Sequence, residues 1–489
     1  MSLKRNSLFN LAGLVLPLAL SLATVPAYIH VIGVDRYGVL AIAWLFLGYF
    51  GMFDLGLGRA TIHRIAEQRD ARPEERLATF HTAIAVNLGI GAFGGVLLAI
   101  GAEVFFAQGL KITPALRAEL SAAAPLLGLS LPIATLTGVL TGALQGRERF
   151  AQTNAIGILS TVLFQIAPLL VALHWGPNIS LLLLVGMSTR VATLVFLWFV
   201  CSKEFIWEGR FNFQKDQVSI LLKFGGWVTA ASLIAPFLTI IDRFAIGNFV
   251  GAAAVAFYSV PYQMAQRVVI IPTALTNALF PRLSATQSDE RFFEISRESM
   301  FILLALITTP VAVGVMIAGP ALTLWLGHDF SMKATTPAEI LIIAFWFNSL
   351  ALLPFTMIQS KGRPALVTIL HLLELLPYLA SLYLGLKYFG LMGCAVAFML
   401  RCALDYFLLS FNADKKLIPI RGFTTSIILI SASLFIANFF EPLTIPWFLA
   451  FIALGGVGTL EAWRIAPPRL RAFIVDKIPN QWLASKISS

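Results

Sequence analysis

The sequence predicts an all-α polytopic membrane protein with about fourteen transmembrane helices. Three observations carry that expectation. Of the 489 residues, 58% are hydrophobic and only 12% are charged, where a soluble domain carries about 25% charged residues. The mean hydropathy is +0.83. Apolar runs of roughly 20 residues, the length that crosses a bilayer, recur from one end of the chain to the other.

Taken in order, breaks at charged or Pro/Gly-rich points set the spans at 8–32, 38–58, 80–107, 120–145, 154–175, 178–201, 221–247, 252–280, 300–326, 338–359, 366–387, 390–411, 423–440 and 444–463. Lys4 and Arg5 precede the first run, as in a secretory signal. That run outlasts the 7–15 apolar residues of a signal and is read as a retained helix. Cys201, Cys394 and Cys402 all lie in apolar runs, so no disulfide framework is implied.

Basic residues orient the spans, because cytoplasmic loops retain Lys and Arg. With the N-terminus inside, the cytoplasmic segments hold 25 of the 35 basic residues. These segments are the N-tail, "RATIHRIAEQRDARPEERLAT", "GRERF", "SKEFIWEGRFNFQKDQ", "PRLSATQSDERFFEISRES", "KGRP", "NADKKLIPIRG" and the tail from Arg464. The opposite loops hold five: Arg36, Lys111, Arg117, Lys333 and Lys387. Both termini are therefore expected in the cytoplasm. The net charge of +10 is a topology signal, and no nucleic-acid partner is expected.

Short loops narrow the function. No loop exceeds about twenty residues, so no soluble domain is expected on either side. There is no G-x-x-x-x-G-K-[ST], so the chain is not expected to hydrolyse ATP, and no cofactor or metal is implied. "GIGAFG", Gly89 to Gly94, matches the dinucleotide fingerprint by letter. That motif works between a strand and a helix, whereas these glycines lie inside the third span, where small residues let helices approach. Gly138, Gly142 and Gly146, four apart in span four, are read the same way.

The chain also echoes itself. "NLAGLVLPL…IGVDRYG" has glycines at 13, 33 and 38, and "KFGGWVTAA…IGNFVG" has them at 226, 247 and 251. "LQGRERFAQTN" ahead of span five is matched by "IQSKGRPALVT" ahead of span eleven, and each precedes an in-span arginine, Arg190 or Arg401. Two parallel six-span repeats follow: an N-lobe over 1–201 and a C-lobe over 221–411, joined by a linker at 202–220. Transporters of this build hold substrate near the midplane between the halves. An added helix pair covers 423–463, and a cytoplasmic tail covers 464–489.

Charges inside spans are costly, about 2.5–3.5 kcal/mol each at the centre. Arg190, Arg267, Arg401, Glu374 and Asp54 are such residues. Asp405 stands at i+4 from Arg401, the spacing of a helical ion pair, and the two are expected to form a structural pair. Arg190 and Arg267 have no acid three or four residues away. Asp242 and Arg243 are adjacent, hence about 100° apart on a helix, and are not expected to pair with each other. Glu374, with His371 one turn earlier, is read either as the foremost carboxylate for ion coupling or as the simple partner of one of the arginines; Asp54 and Asp242 are further coupling candidates.

"FDLGLGRATIHRIAE", "IDRFAIGNFVGAAAVAFYSVPYQMAQRVVIIPTALTNALFPRLS" and "LRCALDYFLL" together resemble the polysaccharide flippases of the multidrug/oligosaccharidyl-lipid/polysaccharide exporter superfamily. The resemblance implies two six-helix lobes rocking around a central cavity, with the extra pair forming a groove for a lipid tail. It implies a polyprenyl-pyrophosphate-linked oligosaccharide as substrate, carried across a bacterial inner membrane. Other polysaccharide-assembly membrane proteins and membrane lipids are the expected partners. Arginine suits the pyrophosphate, because its planar fork donates twice and stays charged. Arg190, Arg267, Arg401 and Arg243 are the substrate-binding candidates. An ion-coupled multidrug or small-solute antiporter of the same superfamily is the alternative. A membrane polymerase or ligase would need acid/base residues on a large outer loop, and the outer loops here are short.

Overall fold

The computed structural model describes residues 19–49, 57–68, 72–203, 213–214, 218, 238, 240–414, 417–468 and 470–472. Every regular element among them is helical, as expected where lipid leaves no other partner for backbone N–H and C=O groups. The helices are α1 (Ala19–Ile32), α2 (Val34–Tyr49), α3 (Leu57–Glu67), α4 (Pro73–Gln108), α5 (Pro114–Gly146), α6 (Phe150–Trp175), α7 (Ile179–Cys201) and α8 (240–249). They continue with α9 (Ala252–Ala265), a 3-10 turn (Gln266–Val269), α10 (Ile270–Ala285), α11 (Asp289–Leu326), α12 (His328–Ser360), α13 (Pro364–Ala413), α14 (Ile420–Phe439) and α15 (Ile445–Ile465). Ten helical segments among the described residues are long and apolar enough to cross a membrane, and the chain is a multi-pass membrane protein. Their outward side chains, such as Phe93, Leu376 and Ile452, are apolar and exposed, as a lipid-facing surface requires.

The chain divides into two compact units, Met1–Ala256 and Phe257–Ser489. The division falls inside α9, because residues 240–256 pack with the first unit.

In that unit α4 and α5 lie closest along glycine faces. A Cβ added to Gly95 would stand 2.5 Å from the Gly128 carbonyl oxygen, and one on Gly91 would stand 2.7 Å from the Pro132 Cα. Bulk at either position would force the helices apart. Gly89, the first glycine of "GIGAFG", faces open space, so only the later part of that run serves packing. Gly142 and Gly146 seat α3 in the same manner, against Gly58 and Ile65. Helix starts are closed by side chains where the sequence offers one: Thr113 accepts from Leu116 N–H, and Asn178 accepts from Leu181 N–H.

In the second unit α13 is two helices. Fifty residues would make a helix of roughly 75 Å, far beyond the roughly 30 Å hydrocarbon thickness. At Gly390 the backbone leaves helical space (φ 57, ψ −133), a conformation open to glycine. The chain then reverses, so that Gly385 and Gly393 meet backbone to backbone. Arm one (364–389) and arm two (391–413) are thus an antiparallel hairpin, matching the expected spans eleven and twelve.

The added pair, α14 and α15, is fastened to α11. Gly458 rests on Thr309 and Gly422 on Leu304. A polar seam links the pair to the core: Trp346 Nε1 donates to Thr308 Oγ1 at 3.1 Å, and Thr308 Oγ1 donates to Ser426 Oγ at 3.1 Å.

The hairpin gives a direct test. Gly393→Val places side-chain atoms inside the Gly385 backbone and is expected to cost about 1–3 kcal/mol, the usual toll of overpacking. Gly89→Ala, facing open space, is expected to stay within about 0.5 kcal/mol of the parent. Thermal unfolding of both variants in detergent reads the difference.

Candidate functional site

Two polar constellations stand inside the apolar body, one in each unit. In the first unit a cleft of about 470 Å³ opens between α3, α5, α6 and α7. Its polar lining is Thr137, Thr141 and Gln145 from α5, Ser160 from α6, and Thr193 and Arg190 from α7. Thr137 and Thr141 stand four apart and so share one face of α5, beside Gly138 and the Gly142 contact with Gly58 that seats α3. Thr193 donates to Ser160 Oγ at 2.9 Å and links the two outer walls.

Arg190 is the only charged residue among the described residues of this lining. Its guanidinium lies 4.6 Å from the centroid of the Phe164 ring, a cation–π contact that braces the group without neutralising it. Arg190 Nε is buried and has no hydrogen-bond partner among the described residues. Buried donors are nearly always satisfied. A fixed cation with a spare donor, ringed by hydroxyls and one amide, can take an anionic group joined to a polyol.

Arg267, in the second unit, is half-buried and its Nε likewise lacks a partner among the described residues. It sits in the 3-10 turn between α9 and α10, where the i→i+4 ladder is interrupted. Among the described residues, Arg190 and Arg267 are thus span arginines that no carboxylate holds.

The second constellation lies across the α13 hairpin. His371 and Glu374 project from arm one, and Arg401 and Asp405 from arm two. Arg401 Nε is 3.7 Å from Glu374 Oε2, and His371 Nε2 is 3.5 Å from Asp405 Oδ1. The expected pair of Arg401 with Asp405 is thus corrected: Arg401 is bridged to Glu374, and Asp405 faces His371. The reversal at Gly390 explains it, since the facing arm offers a carboxylate at closer range than the next turn of the same helix. Arg401 is enclosed further by Tyr378 and Phe398, with ring centroids at 5.9 and 5.8 Å. Glu374 is fully buried, and neither of its oxygens has a hydrogen-bond partner among the described residues.

Asp242 and Arg243 do pair with each other, contrary to expectation. Arg243 Nη1 lies 3.0 Å from Asp242 Oδ1, which also accepts from the Arg243 backbone N–H at 2.8 Å. The 100° step separates their Cβ atoms. The arginine stem has enough rotatable bonds to fold back along the helix and close that gap. Both side chains are buried. Asp54 lies outside the described residues.

Sequence reasoning missed three features. The hydroxyl lining of the cleft comes from three helices and has no signature in any one of them. Glu339 is buried and accepts from Asn438 of α14 at 3.3 Å, and its place near the end of a span hid its burial. Arg36, counted only as a loop charge, bridges Glu119 at 3.0 Å, and Glu119 in turn accepts from the Ile179 N–H at 2.9 Å. No group of three or more His, Cys, Asp or Glu able to hold a metal occurs among the described residues.

Comparison with known proteins agrees with this picture. The family described as "Polysaccharide biosynthesis protein" matches residues 31–335. The chain is 30% identical over 416 residues to a protein of Shigella flexneri named "Putative O-antigen transporter", covering 84% of this chain and 97% of that one. Among solved structures it is similar in fold to the lipid II flippase MurJ in an inward closed conformation, with a TM-score of 0.63 at 15% identity, over 91% of this chain and 99% of that one. An inward-facing multidrug-resistance MATE transporter follows with a TM-score of 0.60 at 17% identity, over 86% and 98% of the two chains. The relatives are transporters and not enzymes. This chain belongs to the polysaccharide biosynthesis protein family, the polysaccharide flippases of the multidrug/oligosaccharidyl-lipid/polysaccharide exporter superfamily.

Proposed function

We propose that this protein flips a polyprenyl-pyrophosphate-linked oligosaccharide across the bacterial inner membrane by alternating access, for assembly of a cell-surface polysaccharide. The observation that carries this reading is Arg190: among the described residues, a cation held by no carboxylate and with its Nε unpartnered, in a cleft lined by hydroxyls. A relative named as an O-antigen transporter, spanned over 97% of its length, supports the same substrate class. In this reading the chain has fourteen spans with both termini cytoplasmic. Two six-helix lobes, 1–201 and 221–411, surround a central cavity, and the pair at 423–463 is appended. Arg190 and Arg267 bind the pyrophosphate. Arg401 and Glu374 form the coupling centre, with His371 and Asp405 completing it. Asp242 and Arg243 serve the fold.

Cells lacking the protein are expected to accumulate the lipid-linked glycan on the inner leaflet. A normal glycan distribution in those cells would remove the flippase reading and leave the multidrug antiporter of the same superfamily.

Arg190→Ala and Arg267→Ala are expected to reduce glycan export at unchanged protein level. Each loses a charged hydrogen bond to substrate, about 1.5–3 kcal/mol, which is roughly 10- to 150-fold in affinity. Export assays beside quantitative immunoblots check this, and wild-type export by both variants refutes the phosphate assignment. Arg401→Ala is expected to lower the amount of folded protein itself. It strands Glu374 as an uncompensated buried acid, at about 3–5 kcal/mol.

Glu374→Gln keeps the side-chain shape and removes the exchangeable charge. Under proton coupling, its transport in proteoliposomes is expected to lose dependence on an imposed proton gradient. Undiminished gradient dependence in that variant would reduce Glu374 to the partner of Arg401.

A further inference from the structure

We propose that the first unit carries a sugar subsite next to Arg190, in which the Trp44 indole is the stacking plate for a pyranose ring of the substrate. The subsite presupposes the transport reading and adds to it the place of a sugar near the pyrophosphate.

Phe164 joins the two places. Its ring centroid lies 4.6 Å from the Arg190 guanidinium carbon and 6.0 Å from the Trp44 ring. A phosphate held by Arg190 therefore has Trp44 within the reach of the sugar attached to it. Phe164 is itself fitted closely to α7: a Cβ added to Gly186, one turn before Arg190, would stand 3.3 Å from the Phe164 Cε2.

Trp44 is braced on further sides. Tyr28 of α1 and Tyr37 of α2 meet it edge-on, with centroids at 5.3 and 6.2 Å and interplanar angles of 81° and 88°. Both tyrosines are buried, and the Tyr28 hydroxyl donates to the Gln165 carbonyl at 2.9 Å, which ties α1 to α6. Trp44 remains partly exposed. Its neighbours fix the indole plane before any ligand arrives, which lowers the ordering cost of binding.

Rings alone would make a core, but polar groups stand at their edge. Ser21, Thr24 and Tyr28 are spaced three and four apart and share one face of α1. Ser21 Oγ is buried and has no hydrogen-bond partner among the described residues. Thr24 Oγ1 donates to the Leu20 carbonyl at 2.8 Å and reaches Gln165 Oε1 only at 3.5 Å, so the half-buried Gln165 amide is loosely held. A pyranose matches this combination. Its C–H face lies on an aromatic ring, and its hydroxyls exchange hydrogen bonds with an amide and hydroxyls at the rim. A polyprenyl tail has no group to offer Ser21 or Gln165.

The test titrates full-length protein in detergent with two lipids: polyprenyl pyrophosphate, and the lipid-linked glycan isolated from the organism's own cells. The wild type is expected to bind the glycan lipid about tenfold more tightly. Trp44→Leu is expected to lose most of that preference at unchanged affinity for the bare lipid, and Trp44→Phe, which restores a ring, to recover part of it. Arg190→Ala is expected to weaken both lipids by the same factor. Gln165→Ala leaves the backbone carbonyl used by Tyr28 in place. It is expected to reduce the preference about threefold, and it decides the matter if thermal unfolding shows Trp44→Leu to be misfolded. Wild-type preference in Trp44→Leu and Gln165→Ala overturns the subsite. An equal loss for both lipids in these variants also overturns it, assigning the residues to the lipid tail or to the fold. Binding without any sugar preference in the wild type removes the subsite and leaves the transport reading, whereas binding of neither lipid removes both.

Discussion

Inside hydrocarbon a polar group has no water to turn to, and everything in this molecule answers to that constraint. Backbone groups are satisfied within helices, and hydroxyls of the spans commonly donate to a carbonyl one turn back, as Thr82 does to Ala78 and Ser296 to Phe292. Buried charges are met by opposite charges, as in Asp242 with Arg243 and Glu374 with Arg401. Against this background Arg190 and Arg267 stand out. Each keeps a buried Nε without a hydrogen-bond partner among the described residues, and neither is paired with a carboxylate there.

Close approach of helices is the second theme. Lipid gives helices no hydrophobic reason to associate, so contact relies on van der Waals packing between small residues. The α4–α5 face at Gly91, Gly95 and Gly128 is built on it, as is the hairpin at Gly385 and Gly393. These same glycines do different work by location. Those between α4 and α5 join two helices along their length, whereas Gly385 and Gly393 close the two arms of one hairpin.

Much of this architecture was legible in the chain. Among the described residues hydropathy located the long helices because length and apolarity are local properties, and the break at Gly390 fell where spans eleven and twelve were divided. Glu374 and Arg401 were visible as in-span charges for the same reason. Which charge met which was not legible. Spacing favoured Arg401 with Asp405, but the antiparallel arm brought Glu374 closer, and no helical spacing encodes a contact across a hairpin. The angular rule likewise failed for Asp242 and Arg243, because it describes Cβ directions and not the reach of a long stem. The cleft around Arg190 drew its hydroxyls from three helices, so only their packing could assemble it.

The tight reversal at Gly390 also bears on biogenesis. Arms this close in sequence can leave the insertion machinery as one folded unit, with Glu374 on the first and Arg401 on the second. The acid then meets its cation before either has to face lipid alone. Two residues that would each resist partitioning cross together as a near-neutral cargo, and the synthesis of the twelfth span completes the burial of the eleventh.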